Sequence, residues 1–184
     1  SVFFTISLYH LNMQINTKGS GKMKSILSNY YDDFLDGSTT VYNYAPSTNY
    51  RYLFYAQIVG IQNIGPKYYN ELAMAKEYLI QYTLEGEGYL KINNEEMILK
   101  KGDLLIIPNY YHHIFKPVEG KKWRIAFIHI FENEMVMEIV NRLYKKHRYV
   151  IHDVEEEKIV GRMVKIIDLL SEDLRANECK VSAQ

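Results

Sequence analysis

Among side chains able to carry chemistry, the histidines come first. The chain has six, and His112, His113 and His129 fall in strand-like stretches rich in Ile, Phe and Trp. Adjacent strand residues point to opposite faces, so His112 and His113 cannot both address one interior site. His113 and His129 can share an interior. Two imidazoles still fall short of the three protein ligands and open position of a catalytic zinc site. Neither His-x-His nor Cys-x-x-Cys occurs, so these are expected to be satisfied core histidines with no metal. Cys179, the single cysteine, stands in a polar tail without a nucleophile or metal constellation. It cannot close an internal disulfide and fits a reducing compartment.

Other catalytic patterns are missing too. There is no Gly-x-Ser-x-Gly turn and no phosphate-cradling glycine loop. Gly86-Glu87-Gly88 belongs to a hairpin, not to a helix start. The paired carboxylates Asp32-Asp33 and Glu95-Glu96 fall in turns or helix ends and read as solvated charges. No catalytic residue and no cofactor is expected. The 17 tyrosines are the compositional outlier. They are either ordinary residues of a sheet surface or the lining of a site for a polyhydroxylated or aromatic ligand.

The elements that position these residues are short strands and tight turns between Glu77 and Phe131. Runs rich in Ile, Leu, Tyr and Phe alternate with turn chemistry at Gly86/Gly88, Asn93-Asn94, Gly102-Asp103 and Pro108-Asn109. That rhythm predicts an antiparallel sandwich or barrel. Alternation from Tyr78 assigns Ile80, Tyr82 and Leu84 to the inward face, opposite Gln81, Thr83 and Glu85. Gly86 and Gly88 mark a bulge or a close approach. Leu104 to Ile107 is apolar throughout and reads as buried on both sides. His113 and Phe115 share a face. In the run Trp123 to Phe131, Ile125, Phe127 and His129 share one face and Ala126, Ile128 and Ile130 the other. A strand apolar on both faces suits a barrel wall with helices outside it.

Around this core the chain reads in blocks. Residues 1–22 form an N-terminal extension or arm, 23–131 the barrel and 132–176 a helical segment. The first stretch, Ser1 to Asn16, is too short and interrupted to span a bilayer and lacks signal-peptide features. Lys18 to Lys22 reads as a linker. Met23 offers a natural start that would make the first 22 residues foreign to the fold; a strand-forming arm is the alternative. Met23 to Phe34 is expected to hold a short helix of unreadable boundaries, and 43–49 a loop. Arg51 to Gln62 reads as a strand that returns, after Gly65-Pro66, over Lys67 to Leu72. Beyond Phe131 the period changes to three and four. Met135, Val136, Ile139, Val140, Leu143 and Tyr144 stripe a first helix. A second opens after Asp153 as N-cap, with Glu155 to Glu157 in its first turn. Its broad stripe includes Ile159, Met163, Ile166, Ile167, Leu170 and Leu174, to be covered by its own barrel or by a partner. Ser171 to Gln184 reads as a frayed end.

The 22 basic and 22 acidic residues balance to zero net charge. A domain gripping phosphate backbones by itself would be visibly basic, so this portion is not expected to bind nucleic acid.

Two resemblances follow from these motifs. Gly102-Asp103-Leu-Leu-Ile-Ile-Pro108, followed by His113, resembles the second motif of cupins, with Tyr110 at its second glycine and Pro117 at its later Asn. The upstream cupin motif, with His-x-His and Glu ligands, is absent around Glu77 to Leu90. A wider pattern covers Tyr78 through Gly86-x-Gly88, Leu99-x-x-Gly102-Asp103 through Pro108, His113, Trp123 and Phe127-x-His129-x-Phe131. It resembles the N-terminal effector-binding domain of AraC-type transcription regulators, well over Tyr68 to Phe131 and loosely to Leu174.

This resemblance implies a mainly-β fold, a cupin-like (double-stranded β-helix or jelly-roll) barrel followed by two C-terminal α-helices. It implies a small-molecule effector, often a sugar, inside the barrel, a homodimer formed through the helices, and a cytoplasmic protein with no membrane partner. DNA contact is expected only through a helix-turn-helix region following Gln184. By position, Phe115, Ile125 and Phe127 fall where the family contacts its ligand, and Glu71 near a polar anchor; inward-facing Tyr82, His113 and His129 complete the expected ligand set. Ile125 supplies neither an aromatic face nor a polar partner, which argues against arabinose itself. The expected dimer residues are Ile159, Met163, Ile166, Ile167, Leu170 and Leu174. Two other functions stay open: a metal-dependent cupin enzyme, distinguished by bound transition metal, and an association module, distinguished by dimerisation without ligand.

Overall fold

The structure, a computed structural model, describes residues 28–43, 54–72 and 76–181. The expected arm over 1–22 lies outside them. The described residues form ten strands and two helices. The strands are β1 (Ser28–Tyr31), β2 (Thr39–Tyr42), β3 (Ala56–Ile64), β4 (Tyr69–Leu72), β5 (Glu77–Ile92), β6 (Glu95–Lys100), β7 (Leu104–Pro108), β8 (His113–Pro117), β9 (Trp123–Phe131) and β10 (Val150–Ile151). The helices are α1 (Glu134–His147), between β9 and β10, and α2 (Glu156–Val181), after β10. The fold is the expected mainly-β barrel with two C-terminal helices.

All strand pairing is antiparallel and forms two sheets that share β5. One sheet runs β1-β4-β8-β5-β6 and uses the C-terminal half of β5. The other runs β2-β3-β9-β5-β7-β10 and uses its N-terminal half. The 16-residue β5 changes sheets at a register shift between Thr83 and Glu85. Gly86 makes the bend possible: its φ is +77°, and a Cβ there would stand 1.6 Å from the Lys122 carbonyl oxygen. At Gly88 a Cβ would meet the Trp123 ring at 2.1 Å, so the indole lies flat against bare backbone.

Two apolar cores result. Between the sheets lie Leu79, Leu90, Ile92, Leu99, Leu105, Ile107, Phe115, Trp123, Ile125 and Phe127. On the outer side of the six-stranded sheet, Tyr78, Tyr82, Leu84, Leu104, Ile106, Ala126 and Ile128 pack under Val136 and Val140 of α1 and Val160 and Met163 of α2. Every residue of β7 is buried, and β9 is buried on both faces over Ile125 to Ile128, as their composition predicts.

Four expectations are corrected. Ser28–Tyr31 is an edge strand paired with β4, not helix, because its tyrosines gain a partner strand; 23–27 lie outside the described residues. The inward set of β5 is inverted: Tyr82 and Leu84 lie in the helix-side core, while Gln81 and Thr83 are the buried residues facing between the sheets. Asp153 does not cap α2, which begins at Glu156; Asp153 has φ +56° in the preceding loop. The expected frayed end is helical as far as Val181.

The α1 N-terminus is capped by Asn133, whose side chain accepts from the Val136 N–H at 3.0 Å. Its stripe is narrower than predicted, since Met135 and Ile139 are exposed. In α2, Met163 is buried and Ile159, Ile166, Ile167 and Leu170 pack partly buried against the chain's own barrel. Leu174 has no described side chain. The barrel therefore covers much of the face expected to form a dimer.

Candidate functional site

Strand register brings five of the seven expected ligand residues to the interior between the sheets. Phe115, Ile125 and Phe127 belong to its apolar core, and His113 is 2% exposed. His129 pairs with Leu79 and shares its face. Phe127 sits over Gly60, where a Cβ would come within 2.9 Å of the ring. The other two expected residues are elsewhere. Tyr82 faces the helices and donates its hydroxyl to the Val154 carbonyl at 2.9 Å. Glu71 lies on the outer face of β4, where it accepts from the Tyr69 hydroxyl at 3.0 Å and pairs with His112 at 2.7 Å. His112 and His113 thus point opposite ways, as strand geometry requires.

Residues that sequence reasoning left aside supply the interior's polarity. Glu77, Gln81, Thr83 and Asn109 are all buried, Asn109 completely. Glu77 opens β5, and Asn109 follows β7 in the turn, its backbone N–H donating to the Glu77 carbonyl at 2.9 Å. Their side chains meet His129. The His129 Nδ1 lies 2.7 Å from Glu77 Oε1, and the Asn109 amide nitrogen lies 2.8 Å from the same oxygen. A carboxylate only accepts, so both neighbours donate. The 3.2 Å approach of Asn109 Nδ2 to His129 Nδ1 is then a contact between two donors, not a third bond. This geometry fixes the Asn109 amide with Oδ1 pointing away from Glu77, and that oxygen has no partner. Gln81 Nε2 is likewise buried and unpartnered. Each such atom costs about 1–3 kcal/mol while unpaired.

Burial raises the Glu77 carboxyl. The His129 charge and hydrogen bond, the Asn109 bond and the His113 charge outweigh it, and the group stays below its ordinary value. Burial pushes His113 down to about 4, against the opposing pull of its bond to the Tyr111 carbonyl. That bond, 2.8 Å from Nδ1, makes Nδ1 the protonated nitrogen and leaves Nε2 an acceptor.

The site is thus a buried carboxylate held by two donors, a neutral imidazole, an unpaired amide donor and an unpaired amide acceptor, beside aromatic walls. Among the described residues no lysine or arginine is buried, and no group of three His, Cys, Asp or Glu side chains is arranged to hold a metal ion. No helix among them is long and apolar enough to cross a membrane.

Comparison with known proteins gives one family match: residues 55–184 match the family described as AraC-like ligand binding domain. No curated protein matches the sequence. Solved structures with a similar chain path include the cupin domain of Schizosaccharomyces pombe Cnp3, at 14% identity and TM-score 0.42, covering 60% of this chain and 74% of that one. A predicted oxalate decarboxylase from Thermotoga maritima is similar at 15% identity and TM-score 0.42, covering 58% and 94%. A cupin protein from Bacteroides fragilis is similar at 17% identity and TM-score 0.38, covering 56% and 85%.

Proposed function

We propose, for a chain that belongs to the family of AraC-like ligand binding domains, that the barrel interior senses a neutral polyhydroxylated molecule, a sugar or a close relative. The observation that carries this is the presence in the interior of two of the three buried, unpartnered amide atoms found among the described residues, Gln81 Nε2 and Asn109 Oδ1. One needs an acceptor and the other a donor, and a hydroxyl group supplies both. An anionic ligand would meet the Glu77 carboxylate and the Asn109 oxygen without a buried lysine or arginine to compensate. Phe115 and Phe127 offer aromatic faces, and His113 and His129 imidazole contacts.

In this reading the domain is a regulator and not an enzyme. The ligand acts by binding one arrangement of barrel and helices better than another. The change passes through α2 and a homodimer to DNA-binding units of the full cytoplasmic regulator. Exposed Leu169, beside half-buried Ile166, Ile167 and Leu170, provides the remaining surface for a partner helix.

The test is a thermal-shift screen against neutral sugars, sugar acids, amino sugars and aromatic metabolites, with metal content measured on the same sample. A ligand at about 100 times its dissociation constant adds roughly 2.7 kcal/mol. Stabilisation by a neutral sugar in metal-free protein is expected. Stoichiometric metal without a ligand response would point to the enzyme reading, and dimerisation with neither to an association module.

A further inference from the structure

The tyrosine excess is not used up by the core between the sheets, to which Tyr149 belongs and against which Tyr68 and Tyr144 pack partly buried. A second group lines the outer face of the five-stranded sheet. Tyr31 pairs with Tyr69 across β1 and β4. The Asn70–Phe115 register puts Tyr69 beside Lys116 on the next strand, and Lys116 pairs with Tyr89, which pairs with Ile98. One row, Tyr31-Tyr69-Lys116-Tyr89-Ile98, therefore crosses all five strands. The helices pack on the other sheet, and Tyr31 and Ile98 remain 57% and 41% exposed.

Part of this row is the floor of a cleft of about 450 Å³. The turn Pro66–Lys67 and the turn after β8, at Val118, Glu119 and Gly120, supply its walls, so one carboxylate stands against the two ammonium groups of Lys67 and Lys116 in the lining. One ring position is set from outside the cleft, where the Tyr69 hydroxyl donates to Glu71 at 3.0 Å; burial and the neighbouring Glu96 carboxylate raise the Tyr89 hydroxyl. The Tyr69 hydroxyl is thereby occupied and its ring is left to offer a face. Lys116 Nζ lies 5.1 Å from the Tyr89 ring centroid. Among the described residues neither Lys116 nor Lys67 is in a salt bridge, whereas Lys91, Lys121 and Lys158 are.

We infer that this cleft is a second ligand site, for a small molecule that joins a planar ring to an anionic group. The ring lies on the tyrosines and the anion is held by the two ammonium groups. The volume falls in the range of small-molecule sites. Its charge preference is opposite to that of the interior, which buries a carboxylate and no lysine or arginine. The two sites would answer to different chemistry on the same domain.

Adenosine 5′-monophosphate is a suitable probe, titrated into the whole chain while tyrosine ring resonances are followed by NMR. Saturable shifts of Tyr69 and Tyr89 are expected, with adenosine and inorganic phosphate each binding at least tenfold more weakly. Lys116→Gln is expected to weaken the nucleotide about tenfold, and Tyr89→Leu similarly, with unchanged circular dichroism. No shift at millimolar nucleotide would overturn the inference. So would equal shifts from phosphate alone, which mean an adventitious ion only, or unaltered affinity in Lys116→Gln.

Discussion

The Glu77 carboxylate on β5 accepts a hydrogen bond from the His129 imidazole on neighbouring β9 at 2.7 Å, in the interior shared by both sheets. Asn109 completes the arrangement from the end of β7. Glu77→Gln removes the charge that strengthens both bonds. It is expected to cost about 1–3 kcal/mol in urea unfolding, since bonds to an ionised acceptor are the stronger kind.

Tyr82 tests the corrected face of β5. Its hydroxyl reaches the Val154 carbonyl just before α2, so it fastens helix to barrel. Tyr82→Phe is expected to lower stability by about 1 kcal/mol and to leave ligand affinity unchanged. Lost affinity with full stability would return Tyr82 to the interior.

How far the sequence revealed this depends on the strand. β7 and β9 were readable because both their faces are apolar, and Gly86 and Gly88 because a bend and a close approach each demand a missing side chain. The face of β5 was not. Its N-terminal half is buried on both sides, under helices on one and between sheets on the other, so polarity alternation no longer separates inside from outside. The apolar set Tyr78, Tyr82 and Leu84 went to the helices, and the polar set Glu77, Gln81 and Thr83 went inward. Asn109 looked like turn chemistry after Pro108. Its burial follows from contacts with Glu77 and His129, distant in sequence. His113, Phe115, Ile125, Phe127 and His129 share the interior because their strands are short and regular.

Gly88 faces the only tryptophan of the chain. Gly88→Ala drives a methyl group into the Trp123 ring and is expected to destabilise by about 1–3 kcal/mol. Intrinsic fluorescence reads the displaced indole directly. An unchanged emission spectrum with unchanged stability would contradict the packing.

His113 gives the domain an acid limit. Its folded pKa of about 4 lies below an ordinary unfolded histidine, so between those values the unfolded state binds the proton more readily. Stability is therefore expected to be complete above about pH 6.5 and to fall on acidification, by up to about 3 kcal/mol near pH 4. Below that, Glu77 adds to the loss as its lowered carboxyl is protonated. His113→Asn keeps a donor for the Tyr111 carbonyl and is expected to flatten the curve between pH 6.5 and 4 relative to the parent.

The most direct measurement compares calorimetric ligand titration of the parent with Gln81→Leu, using the neutral sugar that stabilises the domain best. Removing the unpartnered Gln81 amide is expected to raise the stability of the free domain by about 1–3 kcal/mol. It is also expected to weaken the sugar by tenfold or more, because the ligand loses the group it satisfies. Equal affinity in both proteins, or tighter binding of a sugar acid than of its neutral parent sugar, would contradict an effector site built on these buried groups.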